Sequence, residues 1–204
     1  MHTVLSTIKR SAMSKLISLL LSLLFAAGAA FAQHTETRSL EAFDKVNFDG
    51  RVQLFLIKDD SHSIKLDVKK DHYLDDFVTE VRNGTLYLHF ERNKDRDRKI
   101  KIYLHHTGIV DLDLDGFVVL ETDLPLREDK LSINVDGFIR GEVEVDVNYL
   151  DINADGFIGL TVSGKAEKAD LELDGFGKIN AKNLSVDKLW KDADGFARIK
   201  VSSR

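Results

Sequence analysis

The 204-residue chain has no cysteine, a single proline and a single tryptophan. Without cysteine there is no disulfide framework, no thiol nucleophile and no acceptor for a lipidated N-terminal cysteine. Stability must come from core packing and backbone pairing. Long apolar runs are equally scarce. The one present, Leu16 to Ala27, is short for a membrane span of about twenty apolar residues, and no later segment is long or apolar enough to stop transfer. A Gly-rich phosphate loop, a nucleophile elbow and a Ser/His/Asp grouping are also missing. The histidines do not compensate. His62, His72 and His89 lack ligand spacing, and the adjacent His105 and His106 would point to opposite faces of a strand. Neither a zinc site nor any cofactor is expected.

The apolar run has its own meaning. Lys9, Arg10 and Lys15 precede it, and it ends in Ala30-Phe31-Ala32 before Gln33. A basic start, an apolar centre and an Ala-x-Ala site make a secretory signal peptide over residues 1–32, with translation starting at Met1 or Met13. The mature part, residues 33–204, then forms a single domain. Removing three cations leaves 26 Lys and Arg against 34 Asp and Glu, a net charge of −8. Such a surface repels nucleic acid and anionic lipid.

Residues 38–106 read as strands. Ile64, Leu66 and Val68 alternate with charged residues, as do Leu86, Leu88 and Phe90, and Ile100, Ile102 and Leu104. Tyr73 to Phe77 fits one helical turn. Val81-Arg82-Asn83-Gly84-Thr85-Leu86 is a hairpin signal, because Asn-Gly supplies the two positive φ angles of a type I′ turn. The charge-dense stretch from Asn93 to Lys99 reads as a solvated tip.

The rest of the chain, residues 107–204, is organised by one tripeptide. Asp-Gly-Phe recurs at Asp115, Asp136, Asp155, Asp174 and Asp194, in steps of 21, 19, 19 and 20 residues. A fixed period near twenty is a repeat signature. Asp49-Gly50-Arg51 looks like a degenerate opening copy, with Arg in place of Phe. A three-point apolar stripe of period two leads into each copy: Val110, Leu112 and Leu114; Leu131, Ile133 and Val135; Leu150, Ile152 and Ala154; Ala169, Leu171 and Leu173; and Leu189 and Ala193. In the last copy Lys191 interrupts it. A spacing of two excludes helices. A hairpin meander and a β-helix with one coil per repeat remain, and the constant place of the triplet favours coils. Pro125 marks a loop in the longest repeat.

Stacked coils give each letter of the triplet a task. Gly allows the positive φ of a tight corner, and Asp closes an Asx-type turn by accepting a backbone hydrogen bond. Phe is expected to point inward and stack on the next Phe, the corner having reset the alternation. The outward alternative would make a five-Phe exposed strip and mark a partner site. Stacked carboxylates repel by roughly 1 kcal/mol in water. Asn would close the same turn without that cost. The column Asp115, Asp136, Asp155, Asp174 and Asp194 is therefore also a candidate cation ladder, with Ca²⁺ as the candidate ion, although the Ca²⁺-binding nonapeptide is absent. Arg140, Lys178 and Arg198 share a position two residues after Phe and read as a solvated face. Trp190 suits a cap over the last coil, or a sugar-stacking position.

Taken together, the leader, the strand-rich lead-in with Asn83-Gly84-Thr85-Leu86, and the Gly-centred coils resemble the head GIN domain family of putative auto-transporter adhesins. The resemblance covers about Arg38 to the C-terminus. It implies an all-β, single-stranded right-handed β-helix and a periplasmic, cell-surface or extracellular setting. Asp-Gly-Phe departs from the small Gly/Ser-rich corners usual in that family. The expected function is a non-enzymatic exported protein that binds a surface glycan or protein. The alternatives are a carbohydrate-binding or polysaccharide-degrading β-helix and a Ca²⁺-stabilised structural repeat.

Overall fold

The computed structural model describes residues 34–91 and 99–202. The signal-peptide reading and the tip at 93–98 lie outside the described residues. The described chain is almost entirely strand. Its elements are β1 (His34–Ser39), β2 (Lys45–Lys58), β3 (Ser63–Val68), α1 (His72–Asp75), β4 (Phe77–Arg82), β5 (Thr85–Phe90), β6 (Ile100–His106), β7 (Asp111–Thr122), β8 (Lys130–Ala193) and β9 (Phe196–Val201). They form one sheet in the order β1-β3-β6-β2-β7-β8-β9, with β5 also on β2 and β4 on β5.

The N-terminal half is antiparallel at its margin. Strand β1 pairs with β3, β3 with β6, and β4 with β5. The hairpin turn has φ of 50° at Asn83 and 78° at Gly84, as the Asn-Gly signal requires. Helix α1 overlaps the single turn expected over Tyr73 to Phe77 but ends at Asp75, with Phe77 already opening β4, and it buries Tyr73 and Leu74. Arg38 ties this margin together. Its guanidinium donates to the Phe77 carbonyl at 2.7 Å and the Leu74 carbonyl at 2.8 Å.

Pairing becomes parallel at β2. Lys45–Phe48 runs beside β5 and Val52–Lys58 beside β6, while the other edge of β2 pairs with β7. Asp49, Gly50 and Arg51 lie opposite Asp115, Gly116 and Phe117, so the degenerate copy sits in register with the repeat. Asp115-Gly116-Phe117 in turn faces Asp136-Gly137-Phe138 in parallel register. Parallel register rules out a hairpin meander here, since hairpins join antiparallel strands. Strand β8 is 64 residues long without a break. Successive triplets within it lie backbone to backbone: a Cβ on Gly156 would stand 2.1 Å from the Gly137 carbonyl oxygen, and one on Gly175 would stand 2.5 Å from that of Gly156.

Burial alternates along the first four copies, whose inward residues build one continuous core; in the last copy residues 190–196 are all exposed. Leu112, Leu114, Val118 and Leu120 are buried, as are Ile152, Ala154, Ile158 and Leu160. In the first copy Ile109, not Val110, is the buried residue. The triplet does not reset the count, which corrects the inward expectation for Phe. Gly116 keeps the inward place between Leu114 and Val118, so Asp115 and Phe117 both stay on the outer face. The glycine is an in-strand residue at φ 99°, and its backbone presses against Gly50 so closely that a Cβ would meet the Gly50 carbonyl oxygen at 2.3 Å. A sharp corner would have swung Phe inward. A tight approach of two backbones, admissible only for Gly, leaves it out.

Candidate functional site

The outer face carries the five triplet phenylalanines. Their rings form two stacks among the described residues. Phe117 and Phe138 lie 4.2 Å apart at an interplanar angle of 1°. Phe157 and Phe176 are 5.4 Å apart at 13°, and Phe176 and Phe196 are 5.2 Å apart at 16°. The separations follow from parallel register, which places equivalent residues one strand spacing apart, about 4.8 Å. The first pair is half-buried. The second group is open to solvent: Phe157 is 59%, Phe176 50% and Phe196 79% exposed. Three adjacent exposed rings differ from the scattered apolar side chains of an ordinary surface.

The Arg that replaces Phe in the opening copy ends the ladder. The Arg51 guanidinium carbon lies 4.7 Å from the Phe117 ring centroid, a cation–π contact. Its Nε is buried with no hydrogen-bond partner. At the other end, Phe196 has no ring beyond it among the described residues.

The Asp column runs beside the rings, on the same face. The environment of Asp115 disfavours its charged form. Partial burial raises its pKa, and the neighbouring Asp49, Asp136 and Asp113 carboxylates raise it further, against a hydrogen bond from the Gly116 amide. Asp111, also on this face, is raised mainly by burial, with Lys45 opposing. Asp136, Asp155, Asp174 and Asp194 take the equivalent outward places in later copies. Among the described residues no group of three or more His, Asp or Glu converges as a metal site. Parallel register places one carboxylate on each of the opening rungs, Asp49 beside Asp115 and Asp115 beside Asp136. Arg140, Lys178 and Arg198 are exposed two residues beyond Phe, and they bound the strip on its other side. Trp190 lies 54% exposed among the outward positions.

The histidine doublet divides as strand geometry demands. His105 faces outward, with Nδ1 2.9 Å from an Asp59 carboxylate oxygen. His106 faces inward, is only 2% exposed, and neither ring nitrogen has a partner. Burial first, and then Lys58, push its pKa down from 6.5 to about 4. His62 Nε2 meets the Thr107 hydroxyl at 3.1 Å. His105 and His62 thus take separate partners, and His106 is buried without one.

This geometry defines a class: an all-β repeat domain that presents an ordered aromatic and acidic outer face. Residues 42–204 match the family described as putative auto-transporter adhesin, head GIN domain, and the chain belongs to that family. The affiliation points to an exported or surface protein that makes surface interactions. No curated protein matches the chain. Solved structures share the fold. A putative adhesin from Parabacteroides distasonis superposes with a TM-score of 0.73 at 18% identity, covering 83% of this chain and 81% of that one. A putative adhesin from Parabacteroides merdae gives 0.69 at 18%, covering 83% and 80%. A protein from Parabacteroides distasonis described as putative lipid binding gives 0.64 at 17%, covering 83% and 81%. Among the described residues no helix is long and apolar enough to cross a membrane.

Proposed function

We propose that this protein is an exported, non-enzymatic adhesin whose mature domain, residues 33–204, is a single-stranded right-handed β-helix and whose binding surface is the outward Phe strip. The parallel register of successive triplets supports the coil architecture. Right-handedness is the expectation for parallel crossovers, which take that hand in about 98% of cases. The leader over 1–32 supports export. The observation that carries the binding reading is the exposure of Phe157, Phe176 and Phe196. Turning three rings outward forgoes roughly 1.5–3 kcal/mol of burial for each. A core-building repeat gains nothing from that placement, whereas a docking surface does.

A cell-surface and glycan binding screen of the mature protein tests this, run beside a Phe157→Ser/Phe176→Ser variant. Binding by the parent and its loss in the variant, with an unchanged melting curve, is the expected result. Equal binding by both would remove the Phe strip from the function. The exposed Trp190 favours a carbohydrate-binding alternative, since an open indole face stacks on sugar rings. A glycan hit abolished by Trp190→Ala but not by the Phe variant would select it.

A further inference from the structure

We propose that the strip's partner is an arginine-rich extended segment of another protein, docking across the Phe and Asp columns. This rests on the adhesive reading of the same face and names the partner's chemistry.

The argument starts from the exposed rings. Phe157, Phe176 and Phe196 offer apolar area with no occupant within the described chain. Charge around them selects what can settle there. The Asp column and the outward positions two and four residues before it hold five, three and three carboxylates over the five copies, and no Lys or Arg. Alternation puts those of the first four copies on the outer side of the sheet, with buried residues between them; in the last copy Lys191 and Ala193 are exposed as well, so one lysine stands beside Asp192. Lys130 reaches this surface from its border, 3.7 Å from Asp151. Lys45 acts on Asp111, and Asn47 donates to Asp113 at 2.7 Å; around Asp115 the Asp49, Asp136 and Asp113 carboxylates repel one another and contribute to its raised pKa. A partner that brings cations relieves that repulsion; an acidic one adds to it.

Several cationic partners are conceivable, and the geometry separates them. A divalent metal needs converging oxygens, and no such group exists among the described residues. A guanidinium needs less convergence. It is planar and weakly hydrated, stacks on aromatic rings and bonds to carboxylates. The molecule already contains the stacking half of that arrangement once. In the opening copy Arg51 occupies the place of Phe, and its guanidinium lies over the Phe117 ring 4.7 Å from the centroid, in the copy next to Asp115. The remaining copies repeat the ring and the carboxylate without supplying the Arg. A partner side chain supplies it, most readily on the open face of Phe196 beside Asp194, and along the strip its aliphatic stem covers exposed ring area. An extended segment suits a strip that is one residue wide and several strands long. The basic column of Arg140, Lys178 and Arg198 sets the far border of the footprint.

The test is binding of fluorescent oligo-arginine, oligo-lysine and oligo-glutamate peptides to the mature protein at low and physiological salt. Oligo-arginine is expected to bind more tightly than oligo-lysine, and oligo-glutamate not at all. Affinity falls as salt rises. An Asp155→Asn/Asp174→Asn variant loses about fivefold to tenfold in affinity, as expected for two exposed charge contacts. A Phe157→Leu/Phe176→Leu variant loses the preference for arginine over lysine. Removing border repulsion with Lys178→Ala tightens binding. Thermal melts confirm folding, and the salt and peptide comparisons on the unaltered protein decide the matter if a variant fails to fold. Salt-independent binding, equal affinity for arginine and lysine peptides, or indifference to the Asp variant would overturn the proposal. So would saturable self-association that oligo-arginine leaves unchanged, because a second copy would then be the occupant. If Phe-dependent cell binding persists and oligo-arginine does not compete with it, adhesion stands and this partner class falls.

Discussion

Replacing Gly156 with Ala tests the central structural claim, that the triplet glycine is a point of backbone contact within a strand. Gly156 sits at φ 112°, and a Cβ there would lie 2.1 Å from the Gly137 carbonyl oxygen and 2.9 Å from its carbon. The obstructing atoms are backbone held in a ladder, so they cannot swing aside as a flexible side chain would. The unfavourable φ costs an L-residue roughly 1–3 kcal/mol. Forcing the strands apart adds about 1–3 kcal/mol by analogy with overpacked cores. For a domain of this size each kcal/mol moves Tm by about 2–4 °C, so a loss near 4 kcal/mol lowers Tm by roughly 8–16 °C. Gly159, three residues on, is the control. Its nearest neighbours to an added Cβ are the Ile139 carbonyl oxygen at 3.8 Å and Arg140 Cγ at 3.9 Å, ordinary contacts. Gly159→Ala is expected to leave Tm unchanged or raise it slightly, since Ala reduces unfolded-state entropy by about 0.4–1 kcal/mol. Circular-dichroism melts of the two variants decide the case. A Gly156→Ala protein that melts within a degree or two of the parent would refute the close-contact account. Equal losses in both variants would reduce the effect to a general intolerance of Gly replacement.

Two further predictions concern the N-terminal half. His106 has a folded pKa of about 4 against 6.5 for the free group, so its contribution to stability is intact above pH 6.5. As pH falls from 6.5 to 4 the unfolded chain takes up a proton that the native state refuses, and stability drops by at most about 1.4 kcal/mol per pH unit. His106→Leu should flatten Tm against pH across that window, and an unchanged slope would show that other groups set the acid sensitivity. Arg38 donates to the Leu74 and Phe77 carbonyls and to the Thr79 hydroxyl, and it pairs with Glu36 at 2.9 Å. Arg38→Ala should cost about 1–3 kcal/mol and speed hydrogen exchange in residues 72–79 before it does so elsewhere; uniform acceleration along the chain would contradict a local tie.

Much of the architecture was legible because strand alternation and Gly placement are local signals. The Asn83-Gly84 hairpin, the turn at His72–Asp75 and the in-register match of Asp49-Gly50-Arg51 all follow from short windows of sequence. Strand β1 is harder to see. His-Thr-Glu-Thr-Arg-Ser carries no apolar residue, and it is a strand because its backbone completes the edge of β3. The direction of Phe was misjudged for a definite reason. A Gly with positive φ usually announces a corner, and a corner would restart the alternation. Here the pattern continues through it: Leu114 and Val118 are both buried, four residues apart, with the Gly between them on the same side. Counting parity across the glycine would have placed Phe outward from sequence alone. The separation of the rings into two stacks could not be read in this way, because it depends on side-chain packing between copies.

The two faces of the repeat obey different constraints, and this explains why the outer one carries the functional information. Inward positions accept Leu, Ile, Val or Ala as volume allows, so they vary within the apolar set from copy to copy. Outward positions face water, where the fold tolerates nearly any polar residue. Two of the columns on that side show such freedom: the position two before Asp is Asp, Asn, Asn, Glu and Asp, and the position two after Phe is Val, Arg, Gly, Lys and Arg. The Asp and Phe columns do not vary. Asn at the Asp positions would remove carboxylate repulsion, and a polar residue at the Phe positions would remove exposed apolar area. Both substitutions would ease stability or solubility, yet neither occurs in the five copies. Constancy within one chain, at positions where the fold imposes no such demand, is what a periodic ligand contact requires. The single exception, Arg51, lies at the end of the ladder and places on the neighbouring ring the kind of cation that the other copies are built to receive.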